Sequence, residues 1–252
     1  MASTKREREL ARRRLERQMA RRAEAAARRR RRRRNAVASL AGLVVLALVA
    51  TLVIPKLRSD DDKKSNTAAG ECTYRAKGEA TKKIAGLPPA TPTTKTGTVK
   101  AALDTSRGAV ELSLLPEKAP CTVNSFTFLA AQKYFDSTPC HRLTGSQQLS
   151  VLQCGDPGGT GSGGPGYEFA DENLTGATYK KGTVAMANAG AGTNGSQFFL
   201  VYADSQLPES YTPFGTITSG LEVLEAVAKG GSTPPGDGKP KLPVTLTKVT
   251  IS

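Results

Sequence analysis

Residues 182–202 read GTVAMANAGAGTNGSQFFLVY. Two short apolar runs, GTVAM and QFFLVY, flank a stretch of Ala, Gly, Asn, Thr and Ser. Runs of this length bounded by turn-forming residues read as short strands. Upstream, residues 98–115 read TVKAALDTSRGAVELSLL, two strand-like runs broken at Ser106, Arg107 and Gly108, the pattern of a β-hairpin. PEKAPCTVNSFTFLAAQKYF follows and reads as a helix starting near Pro120, with Val123, Phe126, Phe128, Leu129 and Tyr134 at its apolar positions. Further short strands are predicted around residues 140–143 and 151–153, a second short helix over 221–228, and a closing strand in VTLTKVTIS. Many short strands with two helices point to an antiparallel barrel or sandwich.

The charge is unevenly placed. Residues 1–34 hold 16 Lys and Arg against 4 Glu, so about +12 of the formal +14 sits there. The pI therefore describes a tail, and it gives no ground for a specific nucleic-acid-binding domain. The tail also lacks aromatics and any base-reading pattern. An uncharged run, AVASLAGLVVLALVATLVI (residues 36–54), comes next. At 1.5 Å per residue it extends roughly 28 Å, close to the thickness of a bilayer core. A cleaved signal peptide has a shorter apolar region and a small-residue cleavage site, which this run lacks. The arginine-rich flank faces the cytoplasm and the Asp60–Asp62 flank faces out. The predicted order is a basic cytoplasmic tail (1–34), a transmembrane helix (35–56), an extracytoplasmic linker without a packed core (57–95) and a folded domain (96–252).

Cys72, Cys121, Cys140 and Cys154 all lie on the outer side of this span. An even number in an oxidising compartment favours disulfides, and Cys121–Cys140 is the expected pair because a helix start and the next strand are close neighbours. With no CxxC and a single His, neither metal nor cofactor is implied. The lone histidine, His141, adjoins Arg142. Neighbours on a strand face opposite ways, so only one of them enters a shared site. GDPGGTGSGGPGY (residues 155–167) lacks the Lys-Ser/Thr of a phosphate loop and reads as a flexible rim.

Taken together, CHRL with SVLQCGDPGGTGSGGPGYEF, GTVAMANAGAGTNGSQFFLVY and SQLPESYTPFGTI resemble the cyclophilins, the peptidyl-prolyl cis-trans isomerases. The likeness runs from about Val99 to the C-terminus and is nearest to membrane-anchored cyclophilins of high-GC Gram-positive bacteria. It implies a mainly β fold: an eight-stranded antiparallel barrel capped by two helices, here preceded by one transmembrane helix. It also implies a monomer without cofactor or metal that acts on proline-containing polypeptides outside the cytoplasm. Arg142 corresponds to the catalytic arginine, with Gln153 and Phe199 beside it. Val151, Ala187, Asn188, Ala189, Gln197, Leu207, Tyr211 and Gly161 correspond to substrate-binding positions, and His141 falls to packing on the opposite face.

The departures from the family pattern are local. Three extra residues lie between Arg142 and Asp156. Ser150 stands where a pocket phenylalanine is usual, Val151 where a methionine is, and Tyr211 where a histidine is frequent. Gln206 occupies the tryptophan position associated with cyclosporin binding, so that binding is expected to be weak. These changes motivate an alternative: a weakly active or inactive membrane-tethered binder of proline-containing peptides. A third reading makes the basic tail the main functional element, recruiting ribosomes or anionic lipid, with the folded domain a passenger.

Overall fold

The computed structural model of the chain describes residues 70–146 and 148–252. The tail and the apolar run lie outside the described residues, among which no helix is long and apolar enough to cross a membrane. The elements are β1 (Tyr74–Ala80), β2 (Val99–Thr105), β3 (Gly108–Leu114), α1 (Pro120–Ala131), β4 (Thr138–Pro139), β5 (Arg142–Thr144), β6 (Val151–Cys154), β7 (Pro165–Phe169), β8 (Thr183–Met186), β9 (Phe198–Val201), β10 (Pro213–Ser219), α2 (Leu221–Gly230), β11 (Ser232–Thr233), β12 (Asp237–Pro240) and β13 (Thr245–Ile251).

The hairpin read from TVKAALDTSRGAVELSLL is β2–β3, in register from Val99 opposite Leu114 to Thr105 opposite Gly108. Its alternation decides its orientation: Val99, Ala101, Leu103, Val110, Leu112 and Leu114 are buried, while Lys100, Asp104 and Glu111 stay in water. The mostly antiparallel sheet runs β11-β12-β5-β6-β9-β8-β10-β3-β2-β13-β4. Only Cys140 and His141 separate β4 from β5, yet β4 pairs with β13 and β5 with β6. One short length of chain thus joins both ends of the strand series and curls the sheet on itself. The strand count departs from the expected eight. The described residues form thirteen strands, because a break divides β4 from β5, a β11–β12 hairpin adds to the edge of β5, and β1 with β7 makes a separate two-stranded ribbon.

The core gathers Phe126 and Phe135, stacked at 5.0 Å, with Phe198 edge-on to Phe126 at 5.5 Å. α1 begins at Pro120, with no side-chain cap from its own N-cap residue, Ala119. The cap comes from 50 residues away. Glu172 accepts the N–H groups of Cys121 at 3.0 Å and Thr122 at 2.8 Å, two of the donors that a helix start leaves open. α2 carries Leu224 and Val227 into the core.

Two expectations need correction. The disulfides are Cys72–Cys121 and Cys140–Cys154, not Cys121–Cys140. Cys121 lies at the start of α1 and meets the segment leading into β1, whereas Cys140 faces the adjacent strand β6. The stretch read as a linker without a core is also packed from residue 72 onward. β1 pairs with β7 from Tyr74 opposite Phe169, and Tyr74 is buried edge-on against Tyr167 and Phe169, each at 5.5 Å. Its hydroxyl donates to the Cys121 carbonyl at 2.8 Å and accepts from Asn124 at 3.0 Å.

Candidate active site

Strand register assembles the site. Arg142 on β5 stands opposite Gln153 on β6, Gln153 opposite Phe199 on β9, and Phe199 opposite Ala185 on β8. Directly paired residues project to the same face of a sheet. The intervening positions Leu143, Leu152, Leu200 and Val184 belong to the main core, so the Arg142–Gln153–Phe199 rung lies on the outer face. A one-residue slip of β6 would turn Gln153 inward and Leu152 outward.

The polar half of this face is a continuous hydrogen-bonded row. Arg142 Nη1 donates to Gln153 Oε1 at 3.2 Å. Gln153 Nε2 donates to Gln197 Oε1 at 2.9 Å. Gln197 Nε2 donates to the carbonyls of Gly161 at 3.0 Å and Gly163 at 2.9 Å. The glycine-rich loop is therefore fastened to the site. It is also wound around Asp156, whose carboxylate accepts from the N–H groups of Gly158, Thr160, Gly161 and Gly163 at 2.8–3.1 Å. Burial raises the Asp156 carboxyl pKa, but these donors outweigh it and the net shift is downward. Glycine is required at 163, where a Cβ would lie 2.0 Å from Asp156 Oδ1.

The apolar half is a small cluster separate from the main core: Val151, Tyr179, Ala185, Phe199 and Val201, with Leu149, Ala177, Ala187, Leu207 and Tyr211 packed against it. Phe199 meets Tyr211 edge-on at 5.7 Å. Tyr179 fixes Tyr211 by donating to its carbonyl at 2.8 Å and accepting its N–H at 3.0 Å. Ser150 turns its hydroxyl to the Ser146 carbonyl at 2.9 Å, and Leu149 supplies apolar surface one residue earlier. Asn188 donates through its side chain to the Ser210 carbonyl at 2.7 Å, bracing the segment before Tyr211. Ala189 is exposed, with its N–H on Thr193 Oγ1 at 2.9 Å.

Of the residues read from the sequence, the structure joins Arg142, Gln153, Gln197 and Gly161 in the row. It places Phe199, Val151, Ala187, Leu207 and Tyr211 in the cluster, and Asn188 and Ala189 just beyond the end of β8. Sequence reading missed Tyr179, Leu149 and Asp237. Asp237 takes Arg142 Nε and Nη2 on its two oxygens, each at 2.7 Å. This hydrogen bonding raises the Arg142 pKa and holds the Asp237 carboxyl below its ordinary range.

His141 lies next to the site without joining the row. Its ring sits against Gly161, and neither nitrogen has a hydrogen-bond partner among the described residues. Burial lowers its pKa, with Arg142 acting in the same direction and Asp156 opposing. No group of three or more metal-ligating side chains occurs among the described residues. What the face offers is a fixed guanidinium beside an apolar floor, with amide side chains between.

Three comparisons bear on this geometry. The family model described as "Cyclophilin type peptidyl-prolyl cis-trans isomerase/CLD" matches residues 100–251. A "Probable peptidyl-prolyl cis-trans isomerase B" of Mycobacterium tuberculosis is 50% identical over 167 residues, covering 61% of this chain and 54% of the relative. The chain thus spans about half the length of that relative. The "Peptidyl-prolyl cis-trans isomerase B" of Streptomyces anulatus is 37% identical over 170 residues, 60% of this chain and 95% of that one. A crystal structure of a Cryptosporidium parvum cyclophilin type peptidyl-prolyl cis-trans isomerase superposes with a TM-score of 0.56 at 29% identity, covering 62% of this chain and 98% of the other. The family match takes in more than half of the chain, including every strand of the Arg142 face, and so the chain belongs to the cyclophilin-type peptidyl-prolyl cis-trans isomerase family.

Proposed function

We propose that the chain is a peptidyl-prolyl cis-trans isomerase that acts on X-Pro bonds of polypeptides outside the cytoplasm. One observation carries this reading: the rung that sets the Arg142 guanidinium and Gln153 beside Phe199 on a solvent-facing sheet. An X-Pro bond resists rotation because amide conjugation sets a barrier of about 18–20 kcal/mol. No bond is broken, so neither nucleophile nor proton relay is needed. As the amide twists, conjugation is lost and the proline nitrogen gains a lone pair. A guanidinium N–H aimed at that nitrogen binds the twisted amide better than the planar one, which is what lowers a barrier. A 10⁴-fold acceleration requires only about 5.5 kcal/mol of such preference.

The residues take separate parts in this scheme. Phe199, Val151, Leu207 and Tyr211 hold the proline ring. Gln153 and the backbone of Asn188 hold the flanking peptide, and Gln197 keeps the loop at Gly161 in place. A Cryptosporidium parvum relative has been crystallised in the presence of the dipeptide Ala-Pro, a ligand of the class proposed here. The test is relaxation of a short Ala-Pro peptide between its isomers in the presence of the purified full chain. Acceleration well above the uncatalysed rate is expected. Saturable binding without acceleration would favour the tethered-binder reading, for which Ser150 is the motive.

The location belongs to the same proposal. The uncharged run at residues 36–54 and its charge asymmetry support a single-span anchor with the domain outside. Two disulfides with no free cysteine among the described residues suit an oxidising compartment. The protein is taken to act as a monomer, with the basic tail near anionic lipid. Added protease should digest the domain in intact spheroplasts; full protection would refute the topology.

A further inference from the structure

An arginine side chain carries five N–H donors in one plane. Three of those of Arg142 are engaged within the chain: Nε on Asp237 Oδ1, Nη2 on Asp237 Oδ2, and Nη1 on Gln153 Oε1. The two bonds to Asp237 use one whole edge of the guanidinium, the bidentate arrangement that fixes its plane as well as its position. One N–H on each of Nη1 and Nη2 is left over. These are the donors available to a bound peptide.

Asp237 reaches Arg142 through strand register. β12 pairs with β5 so that Asp237 stands opposite Thr144, two residues along from Arg142 and therefore on the same face. The carboxylate is the diagonal neighbour of the guanidinium. Its side chain is 56% exposed and that of Arg142 39%, and exposed ion pairs contribute little to stability. The pair is thus poorly explained as a device for holding the fold. Without it, a long flexible side chain at the rim of the groove would be held by a single 3.2 Å bond to Gln153.

We propose that Asp237 is a positioning residue for the isomerisation: its carboxylate locks the Arg142 guanidinium so that the free Nη donors face the prolyl amide before substrate arrives. The proposal rests on the isomerase reading. Two effects of the carboxylate oppose each other, since it orients the guanidinium but also offsets its charge. Orientation decides the sign, because donation to one pyramidal nitrogen depends on direction, and a misplacement of about 1 Å can cost as much as a hundredfold in rate.

The experiment compares the full chain with its Asp237→Ala, Asp237→Asn and Glu225→Ala variants. Glu225→Ala breaks an ion pair with Lys181 outside the groove and serves as the control. For Asp237→Ala, kcat should fall about tenfold to a hundredfold, while the dissociation constant for an Ala-Pro peptide changes by less than about threefold. Asp237→Asn, which keeps one acceptor, should lie between, and Glu225→Ala should match the wild type. In ¹⁵N spectra, the Arg142 Nε–H should exchange slowly in the wild type and quickly in Asp237→Ala.

Four results would overturn the proposal: kcat of Asp237→Ala within about twofold of wild type, an equal loss in Glu225→Ala, a loss of rate that follows the loss of folded protein by circular dichroism, or a fast-exchanging Nε–H in the wild type. A wild type that fails to accelerate isomerisation would refute the isomerase reading and the catalytic part of this proposal with it. The Arg142 Nε–H signal would still decide whether Asp237 locks the guanidinium.

Discussion

Removing the Cys72–Cys121 disulfide, by replacing both residues with alanine, should cost up to about 4 kcal/mol of stability. The bond closes a loop with a sequence separation of 49. The chain-entropy relation converts that length to about 14 cal/mol/K, or about 4 kcal/mol at 25 °C. That is a large part of the roughly 5–15 kcal/mol typical of a folded domain. The figure is an upper bound, because β1 has other holds on the domain. Tyr74 is 9% exposed, packs against Tyr167 and Phe169, and hydrogen-bonds at both Cys121 and Asn124. If β1 can detach while the main sheet survives, the measured cost will be its docking free energy instead. Urea unfolding followed by far-UV circular dichroism is the assay, since the chain has no tryptophan. With a slope of about 1–3 kcal/mol/M, the full cost lowers the midpoint by at least about 1 M. Turnover per folded molecule should be unchanged, because the bond lies away from the Arg142 rung. An unchanged midpoint would show that the bond does not stabilise the fold, and a non-reducing peptide map joining Cys121 to Cys140 would overturn the pairing.

Replacing Cys140 and Cys154 by alanine should cost about 3 kcal/mol for its separation of 14; because these cysteines flank Arg142 and Gln153, kcat should fall as well, and an unaltered kcat in the folded variant would show that the bond does not hold the rung. Gln153→Ala breaks the row at its centre, leaving Arg142 Nη1 and Gln197 Oε1 without their partner. Its turnover should drop about tenfold or more with little change in melting temperature, and equal turnover would remove Gln153 from the site. His141→Phe should flatten the acid side of the stability profile. The folded His141 binds its proton less readily than the unfolded one, so stability is lost as pH falls below about 6.5, at most about 1.4 kcal/mol per pH unit, and the loss levels off below the folded pKa. Melting temperatures of wild type and variant between pH 7 and 5 would show the difference, and parallel curves would contradict it.

Much of the Arg142 face was legible because its residues lie in short, regular strands whose order and wording follow a family pattern. Strand alternation said only that one of His141 and Arg142 enters the site; His141 lies just before β5, with its ring against Gly161 beside the hydrogen-bonded row. What escaped reading depends on contacts between distant segments. β1 reads YRAKGEA with only Tyr74 buried, so it shows no alternation and looks like linker. The α1 start has no local cap because Glu172 provides it from across the fold. Asp237 sits in a Pro- and Gly-rich stretch that reads as a loop, and only its pairing with β5 brings it to Arg142. The cysteine pairing failed for a related reason: Cys121 is nearer to Cys140 in sequence, but the start of α1 faces the β1 segment.

In the proposed mechanism Arg142 favours the twisted prolyl amide over the planar one. The most direct test measures kcat for an Ala-Pro peptide and its dissociation constant in parallel, for the full chain and its Arg142→Ala variant. In the variant kcat should fall about a hundredfold or more, with affinity retained within a few-fold. An Arg142→Ala variant that isomerises the peptide as fast as the wild type would contradict it.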